Sequence, residues 1–252
     1  MVLILIVILL WVISLITNNP ISSPRLMFGM VVISLFLCIS YVKAWSVGKV
    51  FTWSYVSMFI LVLPVMDLFR VTVDDIDILD VIGTIFDDFT VNLVANGDFD
   101  SFQQILNIVQ YVGKNDFSYG YQFLGVIFFW MPRSVWAGKP FETGAIVAES
   151  AGYDFTSLSA PLWGEAYINF GLIGVAVTFY MLGRFLRKIG YVYVSGLKNN
   201  HIQPMFIISF ILIPYLLYFL RGSLLSAVLI MSPMILVPFL MGFVSKLYHR
   251  YR

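Results

Sequence analysis

The stretch WMPRSVWAGKPFETGAIVAESAGYDFTSLSAPLWGEAYINFG, residues 130–171, is a polar interval in a mostly apolar chain. It combines charged side chains with tryptophan and tyrosine, and an apolar run follows it directly. Over the whole chain 60% of the residues are hydrophobic and 12% are charged, against roughly 45–50% and about 25% in an ordinary soluble domain. We therefore interpret the chain as an integral membrane protein whose candidate chemistry is concentrated in this stretch.

The acidic residues are confined to the middle of the chain. All 14 carboxylates lie between Asp67 and Glu165. Because an acid is costly inside hydrocarbon, we interpret the acid-free flanks, residues 1–66 and 166–252, as the membrane-embedded parts. The net charge of +1 offers no basic excess for nucleic acid. The single cysteine, Cys38, excludes an intramolecular disulfide.

The apolar runs predict an all-α polytopic membrane protein, one membrane domain over residues 1–252, with about six transmembrane helices. Nine of the 15 Lys and Arg fall on the side of the termini, so the positive-inside rule places both termini in the cytoplasm. The predicted spans are residues 1–16, 26–42, 51–69, 166–185, 204–220 and 224–244, and residues 70–165 form an external loop.

The external loop is predicted to contain helices that do not cross the membrane. Residues 119–131 have the length of a re-entrant or interfacial segment. Two sets of apolar residues recur at helical spacing and predict amphipathic helices on the membrane or capping the bundle: Leu79, Ile82, Phe86, Phe89 and Leu93, and then Phe102, Ile105, Leu106, Val109 and Val112.

The first apolar run is short. Sixteen helical residues reach only about 24 Å, less than the roughly 30 Å of a hydrocarbon core. We expect the chain to be the C-terminal part of a longer protein.

Three arginines are candidates for binding a phosphate. Arg70, Arg133 and Arg221 each lie at the predicted external end of an apolar segment. A guanidinium group matches phosphate oxygens bidentately, so three at one level suit a lipid diphosphate. The alternative is that they extend to the interface and form local ion pairs, such as Arg70 with Asp67.

Glu165 is the candidate catalytic carboxylate. It directly precedes a predicted helix starting near Ala166, and Asn169, four positions later, lies on the same face. A carboxylate partly removed from water at a helix end suits proton exchange with a sugar hydroxyl. The alternative is helix capping. Glu142 and Glu149 are weaker candidates.

The remaining motifs allow two interpretations each. The aromatic residues Trp136, Tyr153, Trp163 and Tyr167 can stack on sugar rings or form an interfacial belt. Two D-x-D motifs, residues 75–77 and 98–100, are more simply surface acids. The sequence has neither a glycine-rich phosphate loop nor a Cys/His metal spacing, so we predict no metal and no cofactor.

Taken in order, several short motifs resemble the bacterial O-antigen or oligosaccharide repeat-unit polymerases of the Wzy type. They are Pro132-Arg133-Ser134-Val135-Trp136, Lys139-Pro140, Gly164-Glu165-x-Tyr167-x-Asn169-Phe170-Gly171 and Arg221-Gly222-Ser223. The resemblance covers roughly residues 60–245 and matches the C-terminal half of such enzymes.

The resemblance implies a GT-C-like glycosyltransferase of the bacterial inner membrane. Such an enzyme joins undecaprenyl-diphosphate-linked oligosaccharide units at the external face to make O-antigen, capsule or exopolysaccharide, so lipopolysaccharide is one expected product. It implies the lipid-linked oligosaccharide and the bilayer as partners, with a chain-length regulator and a flippase of the same pathway. On this basis Arg133 and Arg221, supported by Arg70, are assigned to the diphosphate and Glu165 to the acceptor. Lys139, Asn169, Trp136 and Tyr167 are assigned to the sugar.

Full members of this family have more spans than the six predicted here. The chain is therefore expected to need an upstream piece, or to be inactive. An O-antigen ligase or another lipid-linked sugar transferase is the alternative enzyme. A lipid-linked oligosaccharide transporter or a non-catalytic assembly partner is the alternative from another class.

Overall fold

The computed structural model of the chain describes residues 25–42, 46–58, 100–156, 158–199 and 204–250. Every regular element within these ranges is a helix, in agreement with the all-α prediction. The eight helices are α1 Arg25–Val42, α2 Val47–Ser57, α3 Ser101–Asn115, α4 Tyr121–Ile127, α5 Thr143–Ala151, α6 Leu162–Asn199, α7 Pro204–Arg221 and α8 Leu224–Arg250. The predicted span 1–16, most of 51–69, the predicted helix around residues 79–93 and Arg70 lie outside the described ranges.

The chain divides into two compact units, residues 1–96 and 97–252. In the first unit α1 packs against α2. The side chain of Met58 lies against Gly29, where an added Cβ would come within 2.4 Å of it. The buried residues of α1 recur at helical spacing and form its inner face: Leu26, Met30, Ile33 and Leu37.

In the second unit the three long helices α6, α7 and α8 pack in chain order, and the shorter helices lie beside them. Helices α3 and α4 contact α6, α5 contacts α3, and α4 also contacts α8. One apolar cluster joins α3, α5 and α6 through Ile108, Val112, Val147 and Ile168. A second joins α6 and α7 through Ile189, Ile208 and Leu212.

Among the described residues one helical segment, Leu162–Gly196, is long and apolar enough to cross a membrane. Its large apolar side chains face outward: Leu172 is 77% exposed, Ile173 76% and Met181 64%. Such exposure fits contact with lipid better than contact with water. Shorter apolar helices cover Leu26–Ile39, Met205–Arg221 and Leu224–Val237. The predicted number of six spans and the GT-C-like arrangement stay predictions.

Helix α6 is broken near its start. Phe170 (φ −144°, ψ 21°) and Gly171 (φ +61°, ψ −151°) are not helical. The conformation of Gly171 is essentially restricted to glycine. The break separates a short first segment, residues 162–169, from the long apolar remainder. Glu165 therefore lies inside the helix that begins at Leu162, and the predicted start near Ala166 is wrong by about one turn.

Helix α3 confirms the amphipathic helix predicted for this part of the loop. Its buried face differs from the predicted apolar set. Ile105 and Val112 are buried, but Phe102, Leu106 and Val109 are 70%, 47% and 45% exposed. The polar residues Gln104 and Asn107 are buried in their place, and Asn107 Nδ2 donates a hydrogen bond to Gln104 Oε1 at 3.0 Å.

Candidate functional site

Glu165 occupies the centre of the candidate site, in the first segment of α6. Its side chain is 2% exposed. The Thr143 hydroxyl at the start of α5 donates a hydrogen bond to Glu165 Oε2 at 2.6 Å. The backbone N–H of Leu224 at the start of α8 donates to Oε1 at 3.0 Å. These two bonds replace part of the hydration that the carboxylate loses on burial.

The carboxylate therefore caps a helix, but not its own. Leu224 is the first residue of α8, whose opening N–H groups have no partner within the helix. The peptide dipoles of a helix also favour a negative charge at this end. Glu165 thus caps a helix, as the alternative interpretation expects, but the capped helix is α8 rather than α6.

A second carboxylate, Glu142, lies next to the first in the fold. It directly precedes Thr143, and its Oε1 accepts a hydrogen bond from the Ser226 hydroxyl in the first turn of α8 at 2.5 Å. Glu142, Thr143 and Glu165 line one narrow crevice. No water-sized sphere fits inside it, whereas ordinary small-ligand pockets measure about 300–1,000 Å³, so this crevice is too small for a whole sugar unit. Its other lining residues are Gln122, Gly125, Val126, Pro140, Phe141 and Leu225.

Arg133 and Lys139 hold the loop that leads to this crevice. The guanidinium of Arg133 donates to the carbonyl oxygens of Lys139 at 2.5 Å and Pro140 at 3.2 Å, and it lies 3.9 Å above the centroid of the Phe141 ring. The Lys139 ammonium donates to the carbonyls of Phe129 at 2.7 Å and Met131 at 3.0 Å. Both cations thus order the backbone just before Glu142.

Arg221 is the last residue of α7 and lies three residues before Leu224. One guanidinium nitrogen is 3.6 Å from Asp100 Oδ1, and both side chains are about one-fifth exposed. Asp100 comes from the second D-x-D motif and also accepts hydrogen bonds from Ser159 Oγ at 2.9 Å and Gln104 Nε2 at 3.1 Å. This acid is therefore part of an ordered polar network and not merely a solvated surface group.

Asn169 is fully buried one turn after Glu165. Its Nδ2 donates to the backbone carbonyl of Glu165 at 2.7 Å, and its Oδ1 accepts from the Ser118 hydroxyl at 3.0 Å. Ser118 N–H also donates to the Ile168 carbonyl at 2.8 Å. Asn169 thus fastens the segment before α4 to the break in α6, and its amide is engaged within the protein.

The aromatic candidates lie in two places. Trp136 is half-buried, with its ring centroid 6.1 Å from Tyr121 and 6.3 Å from Phe128 in edge-to-face geometry. Tyr167 is also half-buried and packs edge-to-face on Phe117 at 5.9 Å. Each has most of its ring covered by protein neighbours, so any sugar contact is limited to an exposed edge.

The structure brings some predicted residues together and separates others. Glu165 is bonded to Leu224, three residues after Arg221, while Arg133 and Lys139 lie on the loop that leads to Pro140, Phe141 and Glu142 in the crevice wall. Sequence reasoning missed Thr143, Ser226 and Gln122. Thr143 and Ser226 are ordinary hydroxyl residues at helix starts, and only the fold shows that they bind carboxylates from distant parts of the chain.

One comparison with known proteins gives a match, and the match covers part of this site. No curated protein and no solved structure matches the chain. The family model described as O-antigen polysaccharide polymerase Wzy matches residues 158–251, a range that contains Glu165, Asn169 and Arg221. Over this range the match confirms the resemblance noted from the motifs, and it is consistent with the C-terminal part of a Wzy-type polymerase.

Proposed function

We propose that this chain joins undecaprenyl-diphosphate-linked oligosaccharide units into a surface polysaccharide at the external face of the bacterial inner membrane. The family match supports O-antigen repeat-unit polymerisation in general. The observation that carries the proposal to particular residues is the buried carboxylate of Glu165, bonded to the turn that contains Arg221.

The proposed reaction is a single glycosyl transfer. A hydroxyl oxygen of the acceptor unit attacks the anomeric carbon of the donor glycan and forms the new glycosidic bond. The bond from that carbon to the diphosphate oxygen breaks, and undecaprenyl diphosphate leaves with the bonding electrons. The hydroxyl proton passes to the carboxylate of Glu165. General-base help of this kind contributes typically 10²–10⁴-fold to a rate.

The carboxylate has the capacity for this role. An ionised carboxylate offers about four lone-pair directions, and Thr143 and Leu224 use two of them. Glu165 also lines the crevice between α4, α5 and α8. We propose that the acceptor hydroxyl approaches Glu165 from the side of this crevice.

The leaving diphosphate needs a cation. Arg221 is the nearest candidate along the chain to the capped turn, and Asp100 orients its guanidinium at 3.6 Å. We propose that Arg221 stabilises the charge that develops on the diphosphate as the bond breaks. Arg133 donates two N–H groups to loop carbonyls, and its exposed guanidinium has further N–H donors that can bind a phosphate oxygen. We propose that Arg70 also supports binding of the diphosphate.

The test is complementation of a strain that lacks its own polymerase. The chain is expressed alone and together with any adjoining reading frame, and the lipopolysaccharide is separated by size. We expect a ladder of glycan lengths with the wild type and single-unit glycan with Glu165→Gln. Transport of labelled lipid-linked units into vesicles, without any change in glycan length, would overturn the proposal in favour of a transporter.

A further inference from the structure

The end of α4 and the loop after it carry large apolar side chains that are exposed and that the proposed reaction does not use. We call this set the loop surface: Ile127 (62% exposed), Trp130 (65%), Val135 (73%) and Phe141 (62%). Residues 117–141 contain no acid, and their charged side chains are the cations Arg133 and Lys139. Large apolar side chains grouped on a surface mark a site of interaction with a partner or a membrane.

The polar side chains of this loop bind its own backbone. The Lys139 ammonium takes the carbonyls of Phe129 and Met131, and the Arg133 guanidinium takes those of Lys139 and Pro140. The Tyr121 hydroxyl donates to the carbonyl of Gly138.

Backbone N–H groups of the loop also find partners within it. The carbonyl of Pro132 accepts from the N–H groups of Val135 and Trp136 at 3.1 Å, and the carbonyl of Phe128 accepts from Met131 at 3.0 Å. A loop in water can leave such carbonyls to the solvent. In lipid no water replaces a missing partner, so a segment there must bond its backbone within the protein.

Helix α4 lies beside the start of the long apolar part of α6. Just before α4, the Ser118 N–H donates to the Ile168 carbonyl at 2.8 Å. The Phe123 ring on α4 lies 6.2 Å from the ring of Phe170 at the break in α6. Directly after the break, Leu172 and Ile173 begin the exposed apolar face of α6. A bilayer that receives this face therefore has its surface at the level of α4.

The length of α4 decides between the two interpretations of residues 119–131. The helix has 7 residues, so it is about 10 Å long, a third of the roughly 30 Å of a hydrocarbon core. It is too short to enter the core and return as a re-entrant helix. Its length and its position beside the break favour an interfacial segment.

We propose that residues 121–141 lie in the surface of the bilayer, with the loop surface inserted about 5–10 Å into the boundary between headgroups and acyl chains. Tryptophan is typical of this level. The apolar stems of Arg133 and Lys139 can lie along the inserted surface while their charges remain near the lipid phosphates. The inference goes beyond the glycosyl transfer and does not depend on it, because it assigns a lipid partner to a surface that the reaction does not use.

The test measures collisions of a nitroxide label by electron paramagnetic resonance. The full chain, with Cys38→Ser, is reconstituted in vesicles of phosphatidylethanolamine and phosphatidylglycerol, and the label is attached in the variant Val135→Cys or, as a second position, Ile127→Cys. Oxygen concentrates in hydrocarbon and a polar nickel chelate in water. The matched controls are Ile173→Cys on the apolar face of α6 and Glu149→Cys at an exposed position on α5.

We expect the ratio of oxygen to chelate collisions at positions 135 and 127 to exceed that at position 149 severalfold and to approach that at position 173. A ratio at either loop position equal to that at position 149 would place the loop in water and overturn the inference. Low collision rates with both reagents would also overturn it, since the loop surface would then be covered by protein, from a second copy or from another part of this chain. The measurement involves no turnover, so a failure of the polymerase proposal in complementation is seen separately.

Discussion

The carboxylate of Glu165 accepts a hydrogen bond from the backbone N–H of Leu224 and so joins residues 59 positions apart in the chain. Leu224 opens α8 three residues after Arg221. The acid proposed for the acceptor hydroxyl therefore also fixes the turn that carries the arginine proposed for the leaving diphosphate. Substitutions at Glu165 act on both groups at once, and a pair of variants separates the two effects.

Replacing Glu165 with alanine should destabilise the protein by about 2–4 kcal/mol, because it leaves a buried N–H and a buried hydroxyl without an acceptor. Glu165→Gln keeps one carbonyl oxygen and should lose much less stability. Both variants should lose the glycan ladder if the carboxylate takes the proton. Thermal unfolding in detergent and lipopolysaccharide gels measure the two effects.

The matched control is Glu149→Gln on α5, where the glutamate is exposed. It should change neither stability nor the ladder. A normal ladder from Glu165→Gln would restrict Glu165 to positioning the α8 turn, since the glutamine still accepts a hydrogen bond but no longer acts as a base.

Thr143→Val removes the hydroxyl that donates to Glu165 Oε2 at 2.6 Å and leaves the shape of the side chain nearly unchanged. We expect a loss of about 1–3 kcal/mol in the free energy of unfolding, since a buried carboxylate loses a donor. We also expect shorter glycans, because the carboxylate is held less firmly. Thr156→Val, at an exposed position, is the control. Equal melting temperatures for the two variants would contradict the hydrogen bond.

Much of the fold follows from apolar patterning, which is why the all-α class and helix α3 were predicted. The apolar pattern predicts the start of α6 a turn late, because Leu162 and Trp163 belong to a stretch of mixed polarity. The break at Gly171 has no sequence signal beyond the glycine itself. Whether a glycine ends, bends or continues a helix depends on neighbours such as Phe117, which lies 3.2 Å from the place of its missing Cβ.

The site was less predictable than the fold. Charged and aromatic residues could be listed from the sequence, but their partners come from distant parts of the chain. Arg133 binds carbonyls six and seven residues later, and Glu165 caps a helix 59 residues later.

Arg133→Lys tests whether Arg133 orders the loop before Glu142. Lysine keeps the charge but lacks the planar fork that reaches both the Lys139 and Pro140 carbonyls while covering the Phe141 ring. We expect faster proteolysis within residues 131–142 and a shortened glycan ladder. Arg187→Lys, at an exposed position on α6, is the matched control. Equal proteolysis rates for the two variants would show that Arg133 does not order this loop.

Gly171→Ala tests the break in α6, which joins the segment carrying Glu165 to the long apolar remainder of the helix. At φ +61° and ψ −151° a side chain costs on the order of 1–3 kcal/mol, and the new methyl group would also press on the Phe117 ring at 3.2 Å. We expect a clear fall in melting temperature and loss of the ladder, because Asn169 and Ser118 hold the same break. Gly190→Ala, on α6 with nothing within 4 Å, should be neutral or stabilising by about 0.5–1 kcal/mol, the ordinary effect of alanine for glycine inside a helix. If both variants melt at the same temperature, α6 is continuous at Gly171 and Glu165 is not held at the angle described.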